Sequence, residues 1–178
     1  MTISIPDNVK IILERLKNAG FEAYCVGGAV RDSIMGLVPG DWDITTSALP
    51  EQTMELFKDF RTVDTGLKHG TLTVIIDKTP YEVTTFRCDG EYGDNRHPIE
   101  VSYVNEPRTD CMRRDFTINS MMYNPDKGLL DFFCGKRDII LGRFTWRRED
   151  SESSKRSYAQ RTAAAQYYPL CHSCHADY

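Results

Sequence analysis

Two short motifs, Val26-Gly27-Gly28-Ala29-Val30-Arg31-Asp32 and Asp41-Trp42-Asp43-Ile44-Thr45-Thr46, decide the fold that this sequence predicts. Residues 21–26 form an apolar run that predicts a short buried strand, and residues 29–35 predict a helix that begins directly after the glycines. Glycine allows a ligand close to the backbone, and a helix start favours an anion, so Gly27-Gly28 is a candidate phosphate-binding turn. A lone glycine pair is weak support, because a tight turn without a ligand explains it as well.

The second motif carries two acidic residues, Asp41 and Asp43, on a predicted strand over residues 41–45. Alternate residues of a strand point to the same side, so the two carboxylates are expected side by side, with Trp42 facing the other way. Like charges at that distance repel unless a cation lies between them, and hard oxygen ligands suit Mg²⁺. Two exposed acids at the start of a strand are the alternative. Arg31 has the donors to bind a phosphate, although it could equally be a surface arginine.

The rest of the pattern predicts helices and strands of a single domain. Apolar residues at i, i+3, i+4 and i+7 indicate an amphipathic helix that ends at Gly20, and these residues are Val9, Ile12, Leu13 and Leu16. Further elements are expected as a helix over 51–58 that Pro50 opens, a hairpin of strands 71–76 and 81–86, a polar loop over 87–107, a helix over 109–123 and a strand over 129–133.

The composition is that of an ordinary globular protein. The 178 residues include 22 Lys+Arg and 26 Asp+Glu, and the net charge of −4 excludes a general basic surface for coating nucleic acid. No apolar run approaches the ~20 residues of a membrane span, and the N-terminus does not have the pattern of a signal peptide. We therefore expect a cytoplasmic protein without a membrane partner, whose six cysteines are thiols.

The two opening motifs resemble those of class II nucleotidyltransferases, namely the CCA-adding enzymes and their poly(A) polymerase relatives in the polymerase-β-like superfamily. The motifs of the family's catalytic head follow in the same order: two strands, a flexible loop, a second motif and a closing segment. They correspond here to Lys68-His69-Gly70-Thr71, residues 81–87, residues 89–92 with Asp94, Arg96, His97 and Pro98, Asp110 with residues 113–120, and residues 130–135 with 137–139. The resemblance covers residues 5–143.

This resemblance implies an α+β fold for a head over residues 1–143, built on a mixed sheet with helices packed mainly on one side. It implies template-independent transfer of nucleotides from CTP or ATP to an RNA 3′ end, with CCA addition to tRNA as the first choice. Poly(A) synthesis is the alternative within the same chemistry, because both enzymes share these motifs. A truncated, catalytically inert nucleotide-binding module is the alternative from another class.

The resemblance also implies a role for individual residues. Asp41 and Asp43 would hold two Mg²⁺ ions that stabilise the attacking and leaving oxygens, and Glu82 is a candidate third carboxylate on a neighbouring strand. The residues implied to bind the nucleotide are Gly27, Gly28, Arg31 and Arg114. An outward-facing strand residue is the alternative for Glu82. A solvated helix face is the alternative for Arg113-Arg114.

Residues 144–178 differ from the rest of the chain, with no Ile, Val, Met or Gly and a single Leu. So little apolar surface cannot offset the entropy of ordering, so we expect an atypical, poorly ordered tail. Glu149-Asp150 lacks the arginine that completes the Glu-Asp-x-x-Arg motif of the family. Our hypothesis is a truncated gene or a shifted reading frame. The sequence leaves open whether a second polypeptide supplies the RNA-gripping regions.

Cys171-His172-Ser173-Cys174-His175 has the C-x-x-C-H spacing of a haem attachment site, and its side chains are also of the type that binds zinc. Haem attachment of this kind requires export, however, and five consecutive residues are too few to surround one ion with four tetrahedral ligands. We expect a solvated tail without a metal at this position.

Overall fold

The computed structural model describes residues 2–89 and 101–145. Within these ranges the helices are α1 (Asp7–Asn18), α2 (Gly28–Ile34), α3 (Pro50–Leu56), α4 (Pro107–Met112) and α5 (Gly135–Ile140). The strands are β1 (Ala23–Val26), β2 (Asp43–Thr46), β3 (Arg61–Val63), β4 (Thr71–Ile76), β5 (Thr79–Thr85), β6 (Arg87–Asp89), β7 (Val101–Tyr103), β8 (Met122–Asn124) and β9 (Gly128–Leu130). Short 3₁₀ turns cover Leu67–His69 and Thr117–Asn119.

Seven of the described strands form one mixed sheet in the order β3-β4-β5-β2-β1-β8-β9. Strands β2 and β5 run parallel, whereas the other neighbours in this sheet are antiparallel. The parallel pair at the centre is joined by the long connection through α3, β3 and β4. Strands β6 and β7 form a separate antiparallel pair that continues from the end of β5.

The main core lies on one face of this sheet, under α1, α2 and α3. The four apolar positions that predicted α1 are all buried there, together with inward-facing strand residues such as Ile44 and Val83. A smaller cluster on the other face includes Tyr24, Val26 and Cys111 of α4. The prediction of helices mainly on one side is therefore confirmed. Among the described residues, α4 covers part of the second face, and Glu82 of β5 is exposed on it.

Several boundaries differ from the sequence-based expectation. The predicted helix over 109–123 is wrong, since α4 ends at Met112 and β8 begins at Met122, where pairing with β1 overrides the helical periodicity. The predicted loop over 87–107 contains the paired strands β6 and β7. The sequence did not indicate β3 or α5, because elements of three and six residues carry too little periodicity.

Within the two described ranges, none of the helices combines the length and the apolar character needed to cross a bilayer. The cysteines of those ranges, Cys25, Cys88, Cys111 and Cys134, form no disulfide with one another. Some predictions lie outside the described residues, namely those for the loop motif over 90–100, for Glu149-Asp150 and for the cluster from Cys171 to His175.

Candidate active site

Strand pairing brings Asp43 and Glu82 together on the face of the sheet opposite the main core. The parallel register of β2 and β5 sets Asp43 directly opposite Glu82. The residues that follow them, Ile44 and Val83, point into the main core, so both carboxylates lie on the opposite face. Asp43 is half-buried and Glu82 is exposed. The structure therefore places Glu82 where the sequence suggested a third carboxylate.

Asp41 is close enough to this pair for its charge to act on Asp43. Strand β2 begins at Asp43, so the predicted strand over residues 41–45 starts two residues too early. The cause is the partner strand, because β1 ends at Val26, opposite Asp43, where the chain turns at the glycines. Trp42 is buried in the main core and fixes the approach of this segment to the sheet.

The electrostatics of Asp43 indicate a site for a cation. Burial raises its pKa, the negative charges of Glu82 and Asp41 raise it further, and Arg114 lowers it by a smaller amount. Among the described residues, no group of three or more His, Cys, Asp or Glu side chains is arranged to hold a metal ion by itself. The donor set fits Mg²⁺, which commonly takes only one or two carboxylates and completes its shell with water and substrate phosphates.

Gly27 lies between Asp43 and an arginine. It adopts a φ of +77°, which glycine reaches without strain, and it directly precedes α2. A Cβ atom built on Gly27 would lie 3.6 Å from Arg114 Nη1 and 3.8 Å from Asp43 Oδ2. The backbone of the turn, a carboxylate and a guanidinium group thus converge on one small region.

Arg31 lies one turn into α2 and is held by two neighbours. Its Nε atom donates to Asp32 Oδ1 at 2.8 Å, and its Nη1 atom donates to Asn119 Oδ1 at 2.8 Å. Its side chain is only 14% exposed. Asn119 belongs to the 3₁₀ turn Thr117–Asn119, so the position of Arg31 depends on a segment far away in the sequence.

Arg113 and Arg114 follow α4, and both pair with the buried Asp110. Arg113 Nε lies 2.8 Å from Asp110 Oδ1, and Arg114 Nη2 lies 3.3 Å from Asp110 Oδ2. The two arginine side chains are 15% and 17% exposed, so the alternative of a solvated helix face is wrong. Although buried, Arg114 Nε has no hydrogen-bond partner within the described part of the chain.

Asp110 remains ionised in this environment. Burial acts to raise its pKa, but the charges of Arg114 and Arg113, with hydrogen bonds from Arg113 and from the Arg87 backbone N–H, outweigh burial and hold the pKa below its usual value. The sequence placed Asp110 in the second motif without assigning it a role. Its spacing of three and four residues from the arginines was the available signal, because such pairs meet on a helix. For Asn119 no comparable signal exists, since its contact with Arg31 spans 88 residues.

The fold and the matched relatives define a polymerase-β-like nucleotidyltransferase head. Residues 23–144 match the family model described as "Poly A polymerase head domain". The structure is similar to the crystal structure of the Bacillus stearothermophilus CCA-adding enzyme in complex with CTP, with a TM-score of 0.73 and 37% identity, over 89% of this chain and 38% of that chain. A CCA-adding enzyme in complex with ATP has the same fold, with a TM-score of 0.70 and 22% identity, over 94% of this chain and 43% of that chain.

The chain belongs to the poly(A) polymerase head domain family. It is 49% identical over 128 residues to the CCA-adding enzymes of Geobacillus kaustophilus and Bacillus subtilis. These matches cover 72% of this chain in each case, but 31% and 32% of the two relatives. The chain thus spans about a third of the length of these curated relatives.

Proposed function

We propose that this chain is the catalytic head of a nucleotidyltransferase that adds nucleotides from CTP and ATP to the 3′ end of tRNA. The observation that carries the proposal is the convergence at Gly27, where Arg114 Nη1 and Asp43 Oδ2 approach the same glycine. Where a metal-bound triphosphate reacts, a positively charged group is needed to bind the phosphates and a carboxylate is needed to bind the metal. Similarity to CCA-adding enzymes, one of them crystallised with CTP, supports this choice of reaction.

The triphosphate is assigned to the turn at Gly27 and Gly28, with Arg31 and Arg114 on either side. Guanidinium groups bind phosphate oxygens through paired N–H donors, and both arginines are already ordered by neighbouring side chains. Helix α2 has seven residues, so its dipole adds little and the arginines supply most of the positive charge.

Asp41 and Asp43 are the proposed Mg²⁺ ligands, with Glu82 as a third carboxylate. When bound, Mg²⁺ stabilises the negative charge that develops on the attacking and leaving oxygens. The three carboxylates concentrate negative charge at the edge of the glycine turn. Burial raises the pKa of Asp43, and the charges of Glu82 and Asp41 raise it further. A divalent cation there would offset the repulsion among these carboxylates, so metal and nucleotide are expected to bind together.

The proposed acceptor is the 3′ end of tRNA, held largely by regions outside the head. Affinity for an RNA backbone depends on Lys and Arg, whereas this chain has a net charge of −4. We therefore propose that a second polypeptide supplies helical regions to grip the RNA. We also propose that the head comprises residues 1–143, that residues 144–178 form a tail, and that the protein acts in the cytoplasm.

Nucleotide transfer is tested by incubating the chain with labelled CTP or ATP, Mg²⁺ and a tRNA that lacks its terminal CCA, at a tRNA concentration high enough to compensate for the weak grip of the head on RNA. The proposal expects incorporation of both nucleotides, its loss in Asp41→Ala, and normal incorporation in Asp64→Ala, an exposed aspartate after β3. Incorporation of ATP alone would favour poly(A) synthesis. Magnesium-dependent nucleotide binding without primer extension would favour the inert module, and the absence of nucleotide binding would contradict all three functions.

A further inference from the structure

We propose that Asp110 is a positioning residue that holds the Arg114 guanidinium in place to receive the phosphates of the nucleotide at the Gly27 turn. The inference rests on the proposed function, because it assigns to the nucleotide the space beside Gly27. It adds a residue that makes no contact with the substrate itself. Asp110 acts through the arginine, and its effect should disappear when the arginine is absent.

Asp110 is surrounded by hydrogen-bond donors from three different segments. It is fully buried, and its Oδ1 atom accepts from Arg113 Nε at 2.8 Å and from the backbone N–H of Arg87 at 3.3 Å. Its Oδ2 atom accepts from Thr45 Oγ1 at 3.2 Å and from Arg114 Nη2 at 3.3 Å. The carboxylate is therefore anchored to β2 and β6, and its own orientation is fixed before it contacts Arg114.

This anchoring determines where Arg114 points. With Nη2 held by Asp110, Nη1 of the same group reaches 3.6 Å from the position of a Cβ on Gly27. A guanidinium is planar, so holding Nη2 on Asp110 while the side chain stays attached to its backbone restricts the direction in which its remaining donors face. Thr45 lies two residues after Asp43 on the same strand face, so Asp110 also sets the distance between Arg114 and the proposed metal ligand.

A purely structural role would have a different signature. If Asp110 served only to stabilise the fold, replacing it would lower the melting temperature but would affect nucleotide affinity independently of Arg114. If Asp110 positions Arg114, the two substitutions must be coupled, because an absent arginine cannot be misplaced. Non-additivity of the two effects on nucleotide affinity is therefore the measurement that separates the two roles.

The test is a double-mutant cycle on the dissociation constant of CTP in the presence of Mg²⁺, measured by calorimetry with the full chain. Arg114→Ala should weaken binding about 10- to 100-fold, the usual cost of a lost charge-assisted hydrogen bond. Asp110→Asn, which keeps the shape of the side chain, should weaken it about tenfold. The double variant should bind within about twofold of Arg114→Ala alone. The control is Asp59→Asn, since Asp59 pairs with Arg15 Nη2 at 2.9 Å and forms no part of the site.

The outcomes separate the inference from the function on which it rests. Failure of the unsubstituted chain to bind CTP would overturn both. Normal CTP binding that Asp110→Asn leaves unchanged, or additive effects in the double variant, would overturn the inference alone. If thermal melting shows that Asp110→Asn does not fold, Thr45→Val takes its place, because it removes a donor from the same Oδ2 atom while the ion pairs remain. It should weaken binding about threefold, and only when Arg114 is present.

Discussion

Two groups of charged residues meet at the glycine turn, and they are built in opposite ways. The carboxylate corner consists of Asp41, Asp43 and Glu82, and the arginine network consists of Arg31 with Asp32 and Asn119 and of Arg113 and Arg114 with Asp110. In the corner, burial raises the pKa of Asp43, and the like charges of Glu82 and Asp41 raise it further. In the network, each arginine has a partner, and the charges hold the pKa of Asp110 below its usual value.

The difference shows which part of the site the protein completes by itself. The arginine network is ordered by contacts within the chain, so binding a phosphate requires little further ordering of these side chains. The carboxylate corner is electrostatically unfavourable as it stands, and a cation that arrives with the substrate would relieve the repulsion. Under the proposed function, one group is thus prepared in advance, and the other would be completed by the ligand.

The largest expected effect is on the carboxylate corner. Asp43→Asn should reduce Mg²⁺-dependent nucleotide transfer roughly 10³-fold, the loss of about 4 kcal/mol of transition-state stabilisation. The chain should still fold, because the substitution removes repulsion from Glu82 and Asp41. Steady-state incorporation of labelled CTP measures the loss, with Asp64→Asn as the control. Normal incorporation by Asp43→Asn would show that the corner is not the metal site.

The next largest effect is expected where α5 packs against the 3₁₀ turn Thr117–Asn119, whose Asn119 contacts Arg31 of the arginine network. A Cβ on Gly135 would lie 2.3 Å from the carbonyl oxygen of Thr117, so Gly135→Ala must displace α5 from the 3₁₀ turn that carries Asn119. We expect a loss of about 2–3 kcal/mol in the free energy of unfolding, measured by urea denaturation. Gly40→Ala is the control, since a Cβ there has no neighbour within 4 Å among the described residues. It should leave stability unchanged or raise it by about 0.4–1 kcal/mol. A Gly135→Ala variant as stable as this control would contradict the packing described.

The two groups differ in how far the sequence could predict them. The hairpin of β4 and β5 and the buried stripe of α1 follow from local periodicity, and the glycine turn and Asp43 are local features too. The pairing of Asp43 with Glu82 required a guess about strand order, which the structure bears out. The contact of Arg31 with Asn119 could not be predicted, because it exists only if residues 109–123 do not form one helix. The pairing of β8 with β1 prevents that helix, and this pairing cannot be read from the local sequence.

A smaller effect is expected from loosening the network itself. Asn119→Ala removes the Nη1 contact of Arg31 and leaves its contact with Asp32, so nucleotide affinity should fall about 3- to 10-fold. Calorimetric titration with CTP and Mg²⁺ measures the change. Asn124→Ala serves as the matched control, because Asn124 donates to the Ala23 carbonyl and lies outside the site. Equal losses of affinity in the two variants would mean that Asn119 acts only through stability.

The smallest effect is on the pH dependence of stability in the absence of metal. Substitution of Asp43 in the carboxylate corner and of Asp110 in the arginine network should change this stability in opposite directions. The pKa of Asp43 is raised above its ordinary value of 3.8, so the stability associated with its protonated form is present below pH 3.8 and lost as the pH rises through the raised pKa. Asp43→Asn should therefore become progressively more stable than the unsubstituted chain from about pH 4 to neutral pH.

Asp110 should behave in the reverse way. Its pKa is lowered below 3.8, so its contribution is present above pH 3.8 and lost as the pH falls through the lowered pKa. Asp110→Asn should be less stable than the unsubstituted chain at neutral pH, with a difference that shrinks in acid. Denaturant titrations at several pH values in EDTA measure both trends. The same sign for the two variants would contradict the contrast between corner and network.

The most direct test of the central claim is the position of a divalent cation in crystals grown with CTP and Mn²⁺. Anomalous scattering locates manganese independently of the surrounding atoms. The account predicts a manganese peak in direct contact with carboxylate oxygens of Asp41 and Asp43, with the triphosphate lying over Gly27 and Gly28. Bound CTP with the metal at other residues, or with its phosphates away from the glycine turn, would contradict it.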